Sequence, residues 1–453
     1  KPDPFQLESL EKLEKSDVLV SAPTGAGKTW IAVEATRLYL SQGKRIWYAS
    51  PLKALSNSKY EEFIAEFGAK NVGILTGDRK ENPDAPVIIG TTEILRNQLY
   101  DGMYRGENIA VDFAVLDEAH YLGDPERGVV WEEVLIYLPP RVRCLLLSAT
   151  IPNAQEIVSW LQAIRAVPCQ VVLSYERPVP LRAIFLFPSG ELAPFLDKRG
   201  IDPQVRKFLE QDGGIPRFRR RGSRQLIRFD DVIKTMREHN LLPAIFFLKS
   251  RFDCDNALNT LSPSPMKPSE GGFRQAIREL IEFYPHLKKH RQLDQLTHLR
   301  AASHHGGQLP YWKVLIEKLM NTGHLEVIFS TSTVAAGVNF PARTVVLVQS
   351  DRFNGREFLP LTSTELHQMI GRAGRRGKDN VGFALILPGH YQDPLLVHDL
   401  LHSPPESILS QININFSMAL NLLLSHNPEQ IKDLLEMSFA AHLGKRAHQE
   451  LET

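Results

Sequence analysis

The chain has 453 residues, with 53 Lys and Arg against 52 Asp and Glu and a formal net charge of +1. That length allows two or three domains, each with a sizeable core, and the even balance excludes a globally basic nucleic-acid binder, so any such surface must be a local patch. Three widely separated cysteines, Cys144, Cys169 and Cys254, lack metal-ligand spacing; they argue against a disulfide framework or a zinc site and are expected to pack as buried thiols.

In chain order, a short apolar run at 18–20 leads into Ala22-Pro23-Thr24-Gly25-Ala26-Gly27-Lys28-Thr29 and then a helical pattern from Ile31. Glycines let backbone amides turn inward, and with a helix N-terminus they offer an array of N–H donors to phosphate oxygens. Lys28 would reach the β- and γ-phosphates, and Thr29 would give its hydroxyl to Mg²⁺. The strict pattern asks for glycine where Ala22 or Pro23 stands, so order and context carry the reading. A surface glycine turn is the plain alternative.

Further apolar runs follow at 45–49, 87–90, 113–116 and 144–147. Alternating with helical segments, these predict a parallel sheet covered on both faces. The run at 113–116 ends in Asp117-Glu118-Ala119-His120, two carboxylates at the strand edge where open α/β sheets bind ligands. Asp117 can hold Mg²⁺ through water and Glu118 can deprotonate an attacking water; both could equally cap a turn. Ser148-Ala149-Thr150 closes the next run, where Ser148 and Thr150 can bond to His120 or Asp117 and transmit the phosphate state, or cap a helix.

A second strand series begins after Pro178 and Pro180, at 183–187, 244–248, 327–330, 345–348 and 383–387, and predicts a second α/β lobe. A basic stretch at 217–224 and a Ser/Pro-rich one at 262–269 read as loops or insertions. From Pro404 the pattern turns helical, with Leu420, Leu422, Leu423 and Leu424 followed by Leu434, Leu435 and Met437. No run approaches a membrane span of about 20 apolar residues and no signal peptide opens the chain. The expectation is a soluble, cytoplasmic protein, or a nuclear one in a eukaryote. A start at Lys1 and a helical pattern near the end are expected of a piece of a longer protein.

With these motifs together, the sequence resembles a superfamily-two helicase over almost its whole length. Asp117–His120 spells a DEAH-type Walker B element. Phe5-Gln6 resembles the adenine-reading element, and Ser50-Pro51-Leu52-Lys53-Ala54-Leu55 and Thr91-Thr92-Glu93 resemble strand-contacting elements of the first lobe, which assigns Pro51, Lys53, Thr91 and Thr92 to nucleic acid. Gln368-Met369-Ile370-Gly371-Arg372-Ala373-Gly374-Arg375-Arg376-Gly377 resembles the arginine-finger element. Arg372 and Arg375, three apart, would share one helix face and stabilise charge on the γ-phosphoryl, with Gln368 holding water. A basic solvated helix face is the alternative.

Ser330-Thr331 and Ala335-Ala336-Gly337-Val338-Asn339 resemble the motif joining nucleotide to nucleic acid, with Thr331 on a strand phosphate and Gly337 and Asn339 at the ATP; Asn339 stands where many relatives carry Asp. Ser250 and Arg251, and His305 and Gly306, fall in the remaining strand-contact elements. Adjacent histidines point apart, so His304-His305 are not read as a metal site. The stretches 91–100 (TTEILRNQLY), 124–138 (with RGVVWEE), 148–160 (SATIPNAQEIVSW) and 176–181 (ERPVPL), with the tail from Ile408 to Phe439, resemble the superkiller (Ski) branch of exosome-associated RNA helicases. Residues 351–364 resemble its strand-separating hairpin, with Phe353 or Phe358 as wedge or as core; the 217–221 cluster RFRRR lines an RNA path or is a solvated loop.

The resemblance implies an α/β fold of two tandem RecA-like lobes, 1–175 and 176–395, with 396–453 starting a winged-helix module. It implies an ATP- and Mg²⁺-dependent translocase on single-stranded RNA, 3′ to 5′, acting as a monomer with RNA-decay proteins as partners. Two readings compete: a DNA repair helicase, which Met369-Ile370-Gly371-Arg372 also resembles, and an ATP-gated RNA clamp that does not unwind. A small-molecule P-loop kinase is disfavoured by the arginine-finger element.

Overall fold

The structure is a computed structural model and describes residues 2–211, 228–263, 272–331, 340–353, 356–389, 391–412, 423 and 427–452. The chain forms two compact units, Lys1–Glu176 with Glu406–Thr453, and Arg177–Pro405. The basic cluster at 217–221, Gly337, Asn339 and most of the Ser/Pro-rich stretch lie outside the described residues.

The first unit is built on eight strands: β1 (Asp17–Ser21), β2 (Ile46–Ser50), β3 (Val72–Leu75), β4 (Lys80–Glu81), β5 (Val87–Thr91), β6 (Phe113–Asp117), β7 (Arg143–Ser148) and β8 (Cys169–Leu173). Their order across the sheet is β4-β3-β5-β2-β6-β7-β1-β8. All neighbours run parallel except β4 on β3. β1, β2, β5 and β6 are buried at every position, because helices cover both faces of a parallel sheet. Alternate residues Val18, Val20, Ile46, Tyr48, Phe113, Val115, Leu145 and Leu147 gather in one core.

The second unit continues with β9 (Leu181–Leu186), β10 (Leu192–Pro194), β11 (Leu196–Asp197), β12 (Gly200–Ile201), β13 (Ala244–Leu248), β14 (Ala301–His304), β15 (Val327–Thr331), β16 (Thr344–Leu347), β17 (Asp351–Phe353), β18 (Phe358–Pro360) and β19 (Gly382–Ile386). The main sheet has the order β10-β9-β19-β16-β13-β15-β14. Along β13 the pleat sends Ile245 and Phe247 into one core and Ala244, Phe246 and Leu248 into the other. Each unit is thus a mostly parallel sheet flanked by helices, the RecA-like architecture expected from the sequence. All three cysteines are buried and free; burial pushes the Cys169 thiol up to about 12.

The segment from Glu406 is part of the first compact unit, whereas the sequence reading set 396–453 apart. Polar clasps hold it. Asn153 donates to the Ile408 carbonyl at 2.9 Å and accepts from its N–H at 2.9 Å. Trp160 Nε1 donates to the Met437 carbonyl at 2.9 Å. Glu132, fully buried, accepts from Ser410 Oγ at 2.6 Å, Gln411 N at 3.2 Å and Phe439 N at 2.9 Å. Glu132→Ala would leave three donors without their acceptor, each costing about 1–3 kcal/mol if it stays dry. Limited proteolysis within 406–453 is expected to accelerate at least tenfold; an unchanged cleavage rate would contradict the clasp.

Candidate nucleotide site

The parallel order sets the ends of β1, β7 and β6 side by side at the carboxyl edge of the first sheet. After β1 the chain turns through Gly25 and Gly27, with φ of +82° and +89°, a region where a Cβ is penalised. Gly27 then caps helix Lys28–Ser41, so the helix N-terminus opens onto the loop. Lys28 Nζ donates to the carbonyls of Ala22 at 2.8 Å and Pro23 at 3.0 Å, lying back across the loop. Ala22 and Ala26 are buried, and Thr24 is half-buried.

Gln6 does more here than the sequence indicates. It is buried, its Nε2 donates to the Gly27 carbonyl at 2.9 Å, and its Oε1 accepts from Asp3 N at 2.7 Å. Its amide therefore ties the first helix, Pro4–Leu13, to the glycine loop. Phe5 packs half-buried against the first core.

Asp117 ends β6 nearly buried, at 7 % exposure. It accepts from the Tyr48 hydroxyl and, at 3.0 Å, from Glu118 N. Burial, and then Glu118, push its carboxyl up; Lys59, the Tyr48 bond and Lys28 oppose this. Glu118 has left-handed backbone, φ 59° and ψ 46°, uncommon for a residue with a side chain and typical of positions held by function. Its Oε2 lies 3.4 Å from His120 Nδ1. His120 is thus beside the candidate base rather than bonded to Ser148 or Thr150 as the sequence suggested. Ser148 Oγ is buried with no hydrogen-bond partner among the described residues. The link from the loop to this segment runs instead through Ala22 N to the Ser148 carbonyl at 3.2 Å, and through Ser21 Oγ, which accepts from Ile151 N at 2.9 Å. Thr150 is half-buried in the same segment.

Thr29 Oγ1 accepts from Lys59 Nζ at 2.8 Å. A hydroxyl and a carboxylate are hard oxygen donors of the kind Mg²⁺ takes, and Mg²⁺ commonly uses only one or two protein oxygens beside phosphates and water. Thr29 and Asp117 fit that ion, with the ammonium standing in for a cation at the hydroxyl. Among the described residues no group of three or more His, Cys, Asp or Glu could hold a metal. His304 pairs with Glu317 at 3.2 Å and His305 with Asp255 at 3.1 Å, pointing to different neighbours.

In the second unit the arginine-finger segment corrects one expectation. Helix Ser363–Ile370 stops before it, so Arg372 and Arg375 do not share a helix face. Gly374, beyond the helix end, has φ +87°, and a Cβ there would lie 2.6 Å from Val179 Cγ1. The segment runs beside Ala342, whose N–H donates to the Arg372 carbonyl at 2.9 Å while Gly374 N donates back at 2.7 Å. Arg375 is held bidentately by Asp379, through Nε and Nη2 at 2.8 Å each. Burial works to raise the Asp379 carboxyl, and the Arg375 bonds outweigh it. Gln368 is half-buried on the preceding helix. Arg177, from the second-series entry, donates to the Ala373 carbonyl at 2.9 Å and supports the turn.

The strand-contact candidates divide by exposure. Lys53 is 54 % exposed, 3.3 Å from Asp78. Arg251 is exposed, and its Nη2 lies 3.3 Å from where a Cβ on Gly306 would sit, so the structure brings these two together. Phe353 and Phe358, cross-strand partners of the β17–β18 hairpin, are 41 % and 50 % exposed with centroids 5.1 Å apart; they are surface rings rather than core. Pro51, Thr91, Thr92, His305 and Thr331 are buried, at or just beyond the carboxyl ends of their strands. Ser250 caps helix Arg251–Asn259 by accepting from Asp253 N at 3.1 Å.

Tyr48, Lys59, Ser21, Arg177 and Asp379 were missed by motif reading. One signal was present for Lys59: Ser56, Lys59, Tyr60 and Phe63 recur at helical spacing and are the buried face of helix Lys53–Phe67.

Residues 3–157 match the family model for the DEAD/DEAH box helicase, and residues 273–377 that for the helicase conserved C-terminal domain. Among similar proteins, the probable helicase HelY of Mycobacterium leprae is 37 % identical over 98 % of this chain and 52 % of its own length. The exosome RNA helicase MTR4 of Homo sapiens is 36 % identical over 96 % of this chain and 43 % of its own. The DExH-box ATP-dependent RNA helicase DExH15 of Arabidopsis thaliana, chloroplastic, is 36 % identical over 93 % and 40 %. The chain therefore spans about half the length, or less, of these relatives.

Proposed function

The chain belongs to the superfamily-two helicases, in their Ski2-like group, and from that premise we propose that it hydrolyses ATP to ADP and phosphate to move along single-stranded RNA, 3′ to 5′. The observation that carries the proposal is the convergence of the glycine loop, Lys28, Thr29, Asp117 and the left-handed Glu118 at one sheet edge. Lys28 leaves its two carbonyls for the β- and γ-phosphates, and the helix N-terminus supplies N–H donors. Thr29 and Asp117 would hold Mg²⁺, which would supply charge neutralisation at the phosphates. Glu118 takes the proton of the attacking water. Arg372 and Arg375, with Gln368, complete the charge stabilisation, as the arginine-finger resemblance implies.

On the strand side, Lys53 and Arg251 supply exposed charge, and the Phe353–Phe358 pair supplies faces on which bases stack, each worth roughly 1–3 kcal/mol. Such contacts are largely sequence-independent and salt-sensitive. The name of the human relative points to work beside an RNA-degrading assembly, which we extend to this chain as its partner class. Among the described residues no helix is long and apolar enough to cross a membrane.

Steady-state ATP hydrolysis with matched single-stranded RNA and DNA tests the reading. Stimulation by RNA of tenfold or more is the expected result. Stimulation by DNA alone would replace it with a DNA helicase, and hydrolysis without displacement of a tailed duplex would replace it with a clamp.

A further inference from the structure

Lys59 lies on the buried face of helix Lys53–Phe67 at 2 % exposure. Lysine is among the residue types least often fully buried, and a buried ammonium needs partners of opposite or acceptor character. Among the described residues its Nζ has two, each at 2.8 Å: Thr29 Oγ1 and Glu62 Oε2. The two differ in kind. Thr29 belongs to the glycine loop and is the hydroxyl fitted above to the metal. Glu62 is three residues along the same helix, with a side chain 41 % exposed against 3 % for Lys59. The ammonium therefore bridges the inside of the nucleotide site to its rim. Tyr48 braces the other oxygen set, donating to Asp117.

We propose that Lys59 is a positioning residue acting as an exchangeable cation: it sits on Thr29 Oγ1 while no divalent ion is bound, and withdraws along its Glu62 contact when that hydroxyl turns to a metal. The inference rests on the nucleotide-site reading above. A threonine oxygen has two lone pairs, and a +1 charge held at it repels a second cation arriving a few ångströms away. Lysine is suited to such an exchange because its charge is a compact point on a flexible four-carbon stem. Glu62, one turn along at i+3, lies within reach of that stem. A residue that only filled space here would need neither the charge nor the outward carboxylate. The arrangement makes the loop's divalent requirement a property of this lysine–glutamate pair.

The test measures a fluorescent ADP analogue bound to the full chain while Mg²⁺ is raised from an EDTA baseline, with thermal melting of the nucleotide-free protein as a fold control. Lys59→Met is expected to lower the half-saturating Mg²⁺ concentration on the order of tenfold. Glu62→Gln, which weakens the withdrawn position, is expected to raise it about threefold. Opposite shifts are the signature of exchange. Equal midpoints in both variants and wild type, or a raised midpoint in Lys59→Met, would overturn the proposal. Should Lys59→Met melt below the working temperature, the exposed Glu62 decides: no shift in Glu62→Gln also overturns it. A wild-type chain that binds no nucleotide at any Mg²⁺ concentration would remove the nucleotide-site reading and this inference with it, an outcome distinct from binding with unshifted midpoints.

Discussion

Glu118→Gln is expected to lower ATP turnover by roughly 10²–10⁴-fold, the usual range for loss of a positioned general base, while nucleotide affinity changes less than about threefold. The amide keeps the shape and the left-handed backbone of residue 118 but cannot take a proton. Glu118 sits one residue beyond Asp117, whose buried carboxyl receives the Glu118 N–H at 3.0 Å. That bond turns the two adjacent side chains to different tasks: Asp117 faces Tyr48 in the interior, and Glu118 lies beside His120 with 19 % of its side chain exposed. Turnover and nucleotide binding measured on the same preparation decide the assignment. Turnover within threefold of wild type would end the general-base role, and equal loss of binding would show that the substitution damaged the site rather than the chemistry.

The largest stability effect is expected at the opposite end of the same sheet. Arg165, 1 % exposed, donates through Nε to Asp17 Oδ2 at 2.9 Å, and through Nη1 and Nη2 to the carbonyls of Leu138 and Val142 at 2.7 Å each. Asp17 opens β1 and also accepts from Cys144 N at 2.9 Å. Arg165→Ala would leave Asp17 as a buried charge with, among the described residues, Arg143 at 3.6 Å to balance it, and would strip two buried carbonyls. Breaking such a pair typically costs about 3–5 kcal/mol. Urea denaturation should show a loss of that size in the first unit, with nucleotide affinity unchanged in the folded fraction because Asp17 and the glycine loop lie at opposite ends of β1. A loss below about 1 kcal/mol would mean that the network relaxes or admits water.

Much of the site was legible because its chemistry is local. Lys28 and Thr29 follow a glycine turn within a few residues of β1, and Asp117-Glu118 stand where an apolar run stops, so order along the chain already implies place at the sheet edge. The hairpin at β17–β18 was expected from the family resemblance of residues 351–364. Less local features were lost. β3 was overlooked because four residues containing Gly73 carry little strand signal, and its place is set by pairing with β5. Arg372 and Arg375 read as helical neighbours because their spacing fits a helix; the helix in fact ends at Ile370, and the turn beyond it brings Gly374 close to Val179, nearly two hundred residues away in the chain.

The amino-acid order thus established two parallel α/β units and the polar groups at the first unit's strand ends, since both follow from apolar periodicity and from residues adjacent in the chain. Folding alone decided which side chains became partners. Lys59 on Thr29, Tyr48 on Asp117, Gln6 on Gly27 and Glu132 on the 406–453 segment each join residues from separate elements. Such pairs form only when packing removes water from both members, and the cost of leaving either one unpaired then selects the arrangement.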